Sequence, residues 1–418
     1  MLGRSLIRPI FLLPVKHYQP VAVFANNAVS DMISRVTRTL RIFLALSLLI
    51  LATLLASSTA TQAQTAPTAA DSILPGLKPS DVSADWKHLV GIYGKSRSNS
   101  LTIFERGGQL FLISPSPRVG NNLEIPLREL QNDQFSFSNE SGVPMTVTSA
   151  PGHEAIVSYL LIGPAVTKES ETPENTKGTY RMDGTLIFPR ADAGADSGGF
   201  YRVKPAKPVD ELRESALRLS PPKEAGPFRR IDVVELATLD PGIHLDIRYA
   251  SANNFLSTPV YTQARAFMQR PAAEALLCVL HKLQPLGYEL LIHDAYRPWY
   301  VTKIFWDATP PEGKIFVADP QKGSKHNRGC AVDLTLYDLA TGKAVEMPGL
   351  YDEMSPRSFP NFPGGTSLQR WHRDLLRRAM ESEGFTVNED EWWHFDYKDW
   401  KQYGILNVPF EKIAGGSE

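Results

Sequence analysis

The sequence predicts two folded parts of different class: a small all-β domain over residues 86–205 and an α+β domain over residues 231–418. Three observations carry that prediction. Between residues 86 and 205, short runs rich in β-branched and aromatic residues recur, whereas from Ile231 onward helix-like and strand-like patterns mix. Two stretches, one rich in Ala, Thr, Pro and Ser and one rich in Pro, Lys and Glu, set these parts off from their surroundings. Finally, 418 residues of ordinary globular composition, 43% hydrophobic and 21% charged, suffice for two cores.

Taken in order, the chain first shows an address. Arg35, Arg38 and Arg41 precede an apolar run from Ile42 to Ala56, and small and polar residues then end at Thr61-Gln62-Ala63. That order of basic, apolar and small residues reads as a secretory signal. A membrane anchor is the rival reading, but about 15 apolar residues fall short of the ~20 that span a bilayer comfortably. The expectation is therefore a signal region over residues 1–63, no membrane span in the mature chain, and export across the inner membrane to the periplasm. Met32 opens this signal with a short basic segment, so translation is expected to begin there rather than at Met1. Residues 64–85 read as a disordered linker.

In the all-β part the strand candidates are Ser100–Phe104, Gln109–Ile113, Met145–Thr148, Ile156–Leu161 and Gly184–Phe188, with Gly107-Gly108 marking a hairpin. A barrel or sandwich is expected. His88 and His153 stand alone here and read as surface or hydrogen-bonded residues, so the part carries no clustered chemistry. Residues 206–230 read as a second, Pro-rich linker around one short helical patch, Val209–Leu219. Beyond it, Pro271–Leu283 has apolar residues three and four apart behind a proline and predicts a helix. Tyr288–Asp294 predicts a strand, and Ser367 is expected to cap a long helix that ends at Gly384.

Composition narrows the partners. Forty-four basic against 45 acidic residues give a net charge of −1, which points away from nucleic acid and toward a small ligand. Two cysteines, Cys278 and Cys330, exclude a disulfide framework and a cysteine-only zinc site, though an oxidising compartment would permit one bond between them.

Three clusters in the C-terminal part hold His, Asp, Glu and Arg in contexts that propensity would not select. In Ser324-Lys-His326-Asn-Arg-Gly329-Cys-Ala-Val-Asp333, His326 and Asp333 are seven positions apart, a spacing that a regular strand would aim at opposite faces. A turn near Gly329 would bring them together. In Asp390-Glu391-Trp392-Trp393-His394-Phe395-Asp396, one histidine lies among carboxylates and aromatics. Two imidazoles and a carboxylate make a common catalytic zinc set, with Glu391 available as a base, but among nine histidines such a pairing can also arise by chance. In His293-Asp294-Ala-Tyr-Arg297-Pro298 a charged turn follows an apolar strand, and Arg297 can serve a structural ion pair or a reacting oxyanion. Asp294 would hold it, Asp338 and Asp396 read as solvated, His372 as lying on a helix face, and Trp392-Trp393 as packing.

The ordered motif Ser-x-His-x-x-Gly-x-Ala-x-Asp, followed much later by Glu-x-x-His, resembles the zinc signature of the VanX-type D-alanyl-D-alanine dipeptidases. Asp246-Ile-Arg-Tyr249…Asn254-Phe255 resembles that family's opening motif, Asp294-Ala-Tyr-Arg297-Pro its arginine motif, and Met347-Pro-Gly-Leu-Tyr-Asp352 a loop whose aspartate receives the substrate ammonium. The resemblance covers about residues 231–410. It implies an α+β fold with a small, mostly antiparallel sheet flanked by helices, shared by zinc D,D-peptidases and the Hedgehog signalling domain. It also implies one Zn²⁺ per chain on His326, Asp333 and His394, catalysis by Glu391 as general base and Arg297 as transition-state stabiliser, and a free dipeptide substrate held by Asp352, Ser324 and Tyr249. Cys330 departs from the small non-thiol residue expected at its position, and the short family members have no counterpart of residues 86–205. Two other functions are compatible with such a fold, a D,D-carboxypeptidase acting on peptidoglycan stems and a zinc-containing binding module without catalysis. The presence of both Glu391 and Arg297 favours an enzyme.

Overall fold

The computed structural model describes residues 71–96, 99–115, 122–131, 134–138, 144–149, 155–161, 182–188, 202–353 and 355–413. The expected signal region, His153 and much of the expected barrel or sandwich lie outside the described residues. Among the described residues no helix is long and apolar enough to cross a membrane.

Helix α1 (Ala84–Leu89) leads into a four-stranded antiparallel sheet, β1 (Gly91–Ser96), β2 (Asn99–Arg106), β3 (Gln109–Pro115) and β4 (Asn122–Pro126), in that order. Gly107 and Gly108 turn β2 into β3 with φ of 59° and 77°, the left-handed pair that a two-residue hairpin requires. Leu101, Ile103, Leu110 and Leu112 alternate inward and pack with Leu89 and Tyr93 in a hydrophobic cluster of their own. A second antiparallel sheet runs in sequence order through β5 (Arg128–Gln131), β6 (Gln134–Ser138), β7 (Pro144–Ser149), β8 (Ala155–Leu161) and β9 (Met182–Phe188).

The larger core starts earlier than its sequence pattern suggests. Ile73, within the expected disordered linker 64–85, is 1% exposed and belongs to that core. Helix α2 (Val209–Leu217) likewise buries Val209, Leu212 and Ala216 there, so residues 206–230 are not a free linker. Further along that stretch Glu224 pairs with Arg328 and accepts the Ile405 amide at 2.8 Å. The proline and lysine content described the surface of this segment while three apolar positions on one helix face decided its place.

The remaining elements are β10 (Val233–Glu235), β11 (Ile243–Leu245), β12 (Phe267–Gln269), α3 (Arg270–Leu283), β13 (Tyr288–Asp294), α4 (Trp299–Ala308), β14 (Ala331–Asp338), β15 (Lys343–Ala344), α5 (Ser367–Ser382), β16 (Phe385–Val387) and β17 (His394–Tyr397). A six-stranded sheet has the order β11-β13-β14-β17-β16, with β15 paired to β14, and only the β11–β13 pair is parallel. The chain is thus mixed α and β, and this sheet is mostly antiparallel as expected. Helix α3 presents Ala272, Leu276, Val279 and Leu283 to the core at helical spacing. Helix α5 is capped by Thr366 rather than Ser367: the Thr366 hydroxyl accepts the Gln369 amide at 3.1 Å, and the Gln369 side chain accepts the Thr366 amide at 2.9 Å. His372 does lie on that helix, but buried, 3.1 Å from the Tyr288 hydroxyl. Both cysteines are free, Cys278 exposed and Cys330 buried.

Candidate active site

Strand register alone assembles half of the site. Asp294 of β13 stands opposite Asp333 of β14, and Asp333 stands opposite His394 of β17, so the three occupy one row across adjacent strands. A register shift between Ile292 and Asp294 marks a bulge that re-aims the end of β13. His326 arrives by another route, on a single 3₁₀ turn, His326–Arg328, closed by Gly329 at φ 67°. That left-handed glycine turns the chain into β14 and resolves the seven-residue offset between His326 and Asp333. A Cβ there would lie 3.3 Å from the Gln269 backbone nitrogen.

His326 Nε2, His394 Nδ1 and Asp333 Oδ1 converge, with 3.0 Å between the nitrogens and 3.3 and 3.1 Å from them to the oxygen. All three side chains are buried. The outer imidazole nitrogens both face acceptors, His326 Nδ1 the Ala295 carbonyl at 2.6 Å and His394 Nε2 the Asp396 carboxylate at 2.8 Å. Protons held on the outer nitrogens leave lone pairs on the inner ones. Three inward lone pairs repel one another unless positive charge, a proton or a metal ion, lies among them. In keeping with this, Asp333 Oδ1 is buried without a hydrogen-bond partner. Burial alone would raise the Asp333 carboxyl, but the neighbouring imidazoles hold it below the usual carboxylate range. Burial would likewise lower His394, yet Asp396 and Asp333 lift it to about 10. The cluster therefore calls for a cation, and its ligand atoms, all within 4.8 Å of one another, could hold a metal ion.

Around this cluster the other expected site residues gather. Glu391 lies with Oε2 3.6 Å from His394 Nδ1 and accepts a hydrogen bond from Asn388 Nδ2 at 3.1 Å. Burial pushes its carboxyl up to about 7, against the pull of His394. Arg297 donates from Nε and Nη2 to Asp294 Oδ2, each at 2.8 Å, and its Nη2 is 3.7 Å from Asp333 Oδ2. Its guanidinium lies over the Phe305 and Tyr249 rings at 4.8 and 5.3 Å. Asp294 does hold Arg297 in place, and it is itself fixed by the Tyr261 hydroxyl at 2.7 Å.

Asp352 projects from a backbone position with φ 57°, a conformation that a non-glycine residue adopts only when its surroundings impose it. Its Oδ2 accepts the Tyr249 hydroxyl at 2.8 Å. Burial, reinforced by the charge of Asp333, pushes the Asp352 carboxyl well up, so a cationic group placed against it would relieve the strain of ionisation. Tyr249, Asp352 and Ser324 line the same cleft of about 260 Å³ as Arg297, Glu391 and the three-residue cluster. Ser324 also has a local task, since its hydroxyl accepts the Asn327 amide at 3.2 Å.

The expectation of a solvated Asp396 is corrected. Its carboxylate is mostly buried between His394 and Lys325, whose Nζ is 3.0 Å away. The signal was present in the sequence as His394-x-Asp396, since residues two apart on a strand share a face. Tyr351, whose hydroxyl donates to Asp333 Oδ2 at 3.1 Å, and Asn388 were not anticipated, and no local pattern marks them. Trp393 packs edge-on against Tyr351, with ring centroids 5.5 Å apart, in keeping with its expected packing role.

Comparison with known proteins finds similarity over this same part of the chain. A family model described as D-Ala-D-Ala dipeptidase, peptidase M15, matches residues 229–412. The D-alanyl-D-alanine dipeptidase of Escherichia coli (strain K12) is 35% identical over 179 residues, covering 43% of this chain and 91% of that relative. The enzymes of the same name from Enterococcus faecalis (strain ATCC 700802 / V583) and Streptomyces coelicolor (strain ATCC BAA-471 / A3(2) / M145) are 34% and 32% identical, each covering 38% of this chain and 87% of the relative.

Proposed function

This chain belongs to the M15 family of D-Ala-D-Ala dipeptidases and is a metallopeptidase, and on that premise we propose that it hydrolyses free D-alanyl-D-alanine to two D-alanines with zinc as its metal. His326, Asp333 and His394 would hold the ion. When bound, Zn²⁺ supplies Lewis acidity to the scissile carbonyl and makes a water easier to deprotonate. Glu391, with a carboxyl near neutrality, takes the proton of the attacking water and returns it to the departing amine as the C–N bond breaks. Arg297, held rigid by Asp294, donates to the oxygen that gains charge. Asp352 and Tyr249 receive the substrate's ammonium, and Ser324 lines the same cleft.

The observation that carries the preference for a dipeptide is the Asp352 carboxylate in the same cleft as the metal cluster, disfavoured by its surroundings until a cation meets it. An acylated amine would leave that carboxylate without its partner, a loss of several kcal/mol. Free D-Ala-D-Ala should therefore be cleaved at least ~10³-fold more efficiently than its N-acetyl derivative, and Asp352→Ala should shrink that ratio mainly by damaging the free dipeptide. Chelation should abolish activity, and metal analysis should find one zinc per chain. Equal hydrolysis of the N-acylated dipeptide or of a pentapeptide stem would replace the dipeptidase by a D,D-carboxypeptidase. The same reading takes residues 1–63 as the export signal to the periplasm and residues 86–205 as an accessory module.

A further inference from the structure

The β1–β4 sheet touches the peptidase part at one place that bears on the reaction. β1 pairs with β2 only as far as Ile103, so the backbone edge of Phe104 and Glu105 is left for another partner. Gly365 takes it: it forms an isolated parallel bridge with Phe104, and its carbonyl accepts the Glu105 amide at 3.1 Å. The Glu105 side chain, 2% exposed, then reaches the first turn of α5. One carboxylate oxygen accepts the Ser367 amide at 2.6 Å, and the other accepts the Ser367 hydroxyl at 3.2 Å and the Gly108 amide at 2.7 Å. A buried carboxylate at the positive end of a helix, with three donors on it, is a strong and directional anchor. Arg370 completes it, donating to the carbonyls of Glu105 and Gly365 at 2.6 and 2.8 Å.

Gly365 ends the loop that carries Asp352. At the other end of that loop, Lys87 of α1 reaches Glu346 at 3.0 Å. The two ends also meet, since a Cβ on Gly365 would lie 3.2 Å from Pro348 Cβ. Between them the loop holds Asp352 at its strained φ, with Glu353 bracing the turn through the Leu350 amide at 2.8 Å and Arg357 Nη2 at 2.9 Å.

We propose that the β1–β4 sheet is part of the substrate-recognition apparatus, and that Glu105 is a positioning residue that fixes the base of the Asp352 loop from outside the peptidase fold. A loop that must hold one residue in an unfavourable conformation needs its ends fixed, because freedom at the base lets that residue relax. The proposal rests on Asp352 as the ammonium receptor. Loosening the base should weaken recognition of the amine first, because the metal ligands and Glu391 are carried by β14, β17 and their flanks, and the loop meets that cluster through the Tyr351 hydrogen bond to Asp333.

The test uses the full mature chain with Glu105→Ala and Glu105→Gln, assayed on free and N-acetylated D-Ala-D-Ala. In Glu105→Ala, KM for the free dipeptide should rise about tenfold with kcat within about threefold of the parent, as expected for an interaction lost from substrate positioning rather than from the chemical step. Zinc content should stay stoichiometric, and the free-to-acetylated preference should fall. Glu105→Gln keeps an oxygen that can accept from Ser367 and should recover part of the loss, which a general loss of stability would not explain. If Glu105→Ala does not fold, Arg370→Gln carries the same expectation. A lower melting temperature with unchanged KM and unchanged preference would overturn the proposal and make the sheet a stabilising appendage. If the parent enzyme itself fails to prefer the free dipeptide, it is the ammonium reading of Asp352 that falls instead.

Discussion

A carboxyl that burial raises to about 7 can give and take a proton near neutral pH, and Glu391 has that property beside the metal cluster. Glu391→Gln keeps the volume and an oxygen for the Asn388 hydrogen bond but cannot accept a proton. Turnover should fall at least ~10²-fold while metal content and dipeptide binding persist, measured by metal analysis and by competition with a slow substrate. Near-normal turnover would move the base to another residue. At this scale the ligands were legible because residue type and order are specific to a chemistry. Asp396 was not, because a carboxylate beside aromatics looks solvated until a strand turns it inward onto His394. Tyr351 reaches Asp333 through tertiary folding, and Asn388 meets Glu391, three positions on, in an irregular turn whose side-chain contacts no periodicity fixes.

Elements were legible where one local rule dominates. Tyr288–Asp294 was expected as a strand and is one, since an apolar run bounded by a turn has few alternatives. The extent of the peptidase part was harder to read, because α2 has only three buried positions, and prolines on both sides masked them. Those positions predict the outcome of shortening the chain. A protein beginning at Arg229 loses Val209, Leu212 and Ala216 and bares the surface they cover, at a cost of at least ~3 kcal/mol on the scale of buried aliphatic side chains. Thermal or urea melts of chains starting at Arg229 and at Arg202 should differ by that amount, with the longer one more stable. Equal stability would mean that α2 only rests on the surface.

Across the whole molecule, the sheet over residues 91–126 has its own hydrophobic cluster, yet its most buried carboxylate is spent on a neighbouring helix. Composition could show two parts, but not that the smaller one grips a loop of the larger, since that contact joins residues more than two hundred and fifty positions apart. The two thiols give a direct view of how the whole structure opens. Cys278 is exposed on α3, whereas Cys330 is buried directly after the turn that carries His326, with burial pushing its thiol up to about 12. A thiol kept protonated and shielded does not react, so a disulfide-exchange dye should titrate one group in the native protein and two after denaturation. Appearance of the second group then times global opening rather than local breathing, and added zinc should slow it by binding only the closed form. Two fast thiols in the native protein would mean that the turn carrying His326 opens on its own. The departure at position 330 thus supplies a chemical stopwatch for the integrity of the adjoining site.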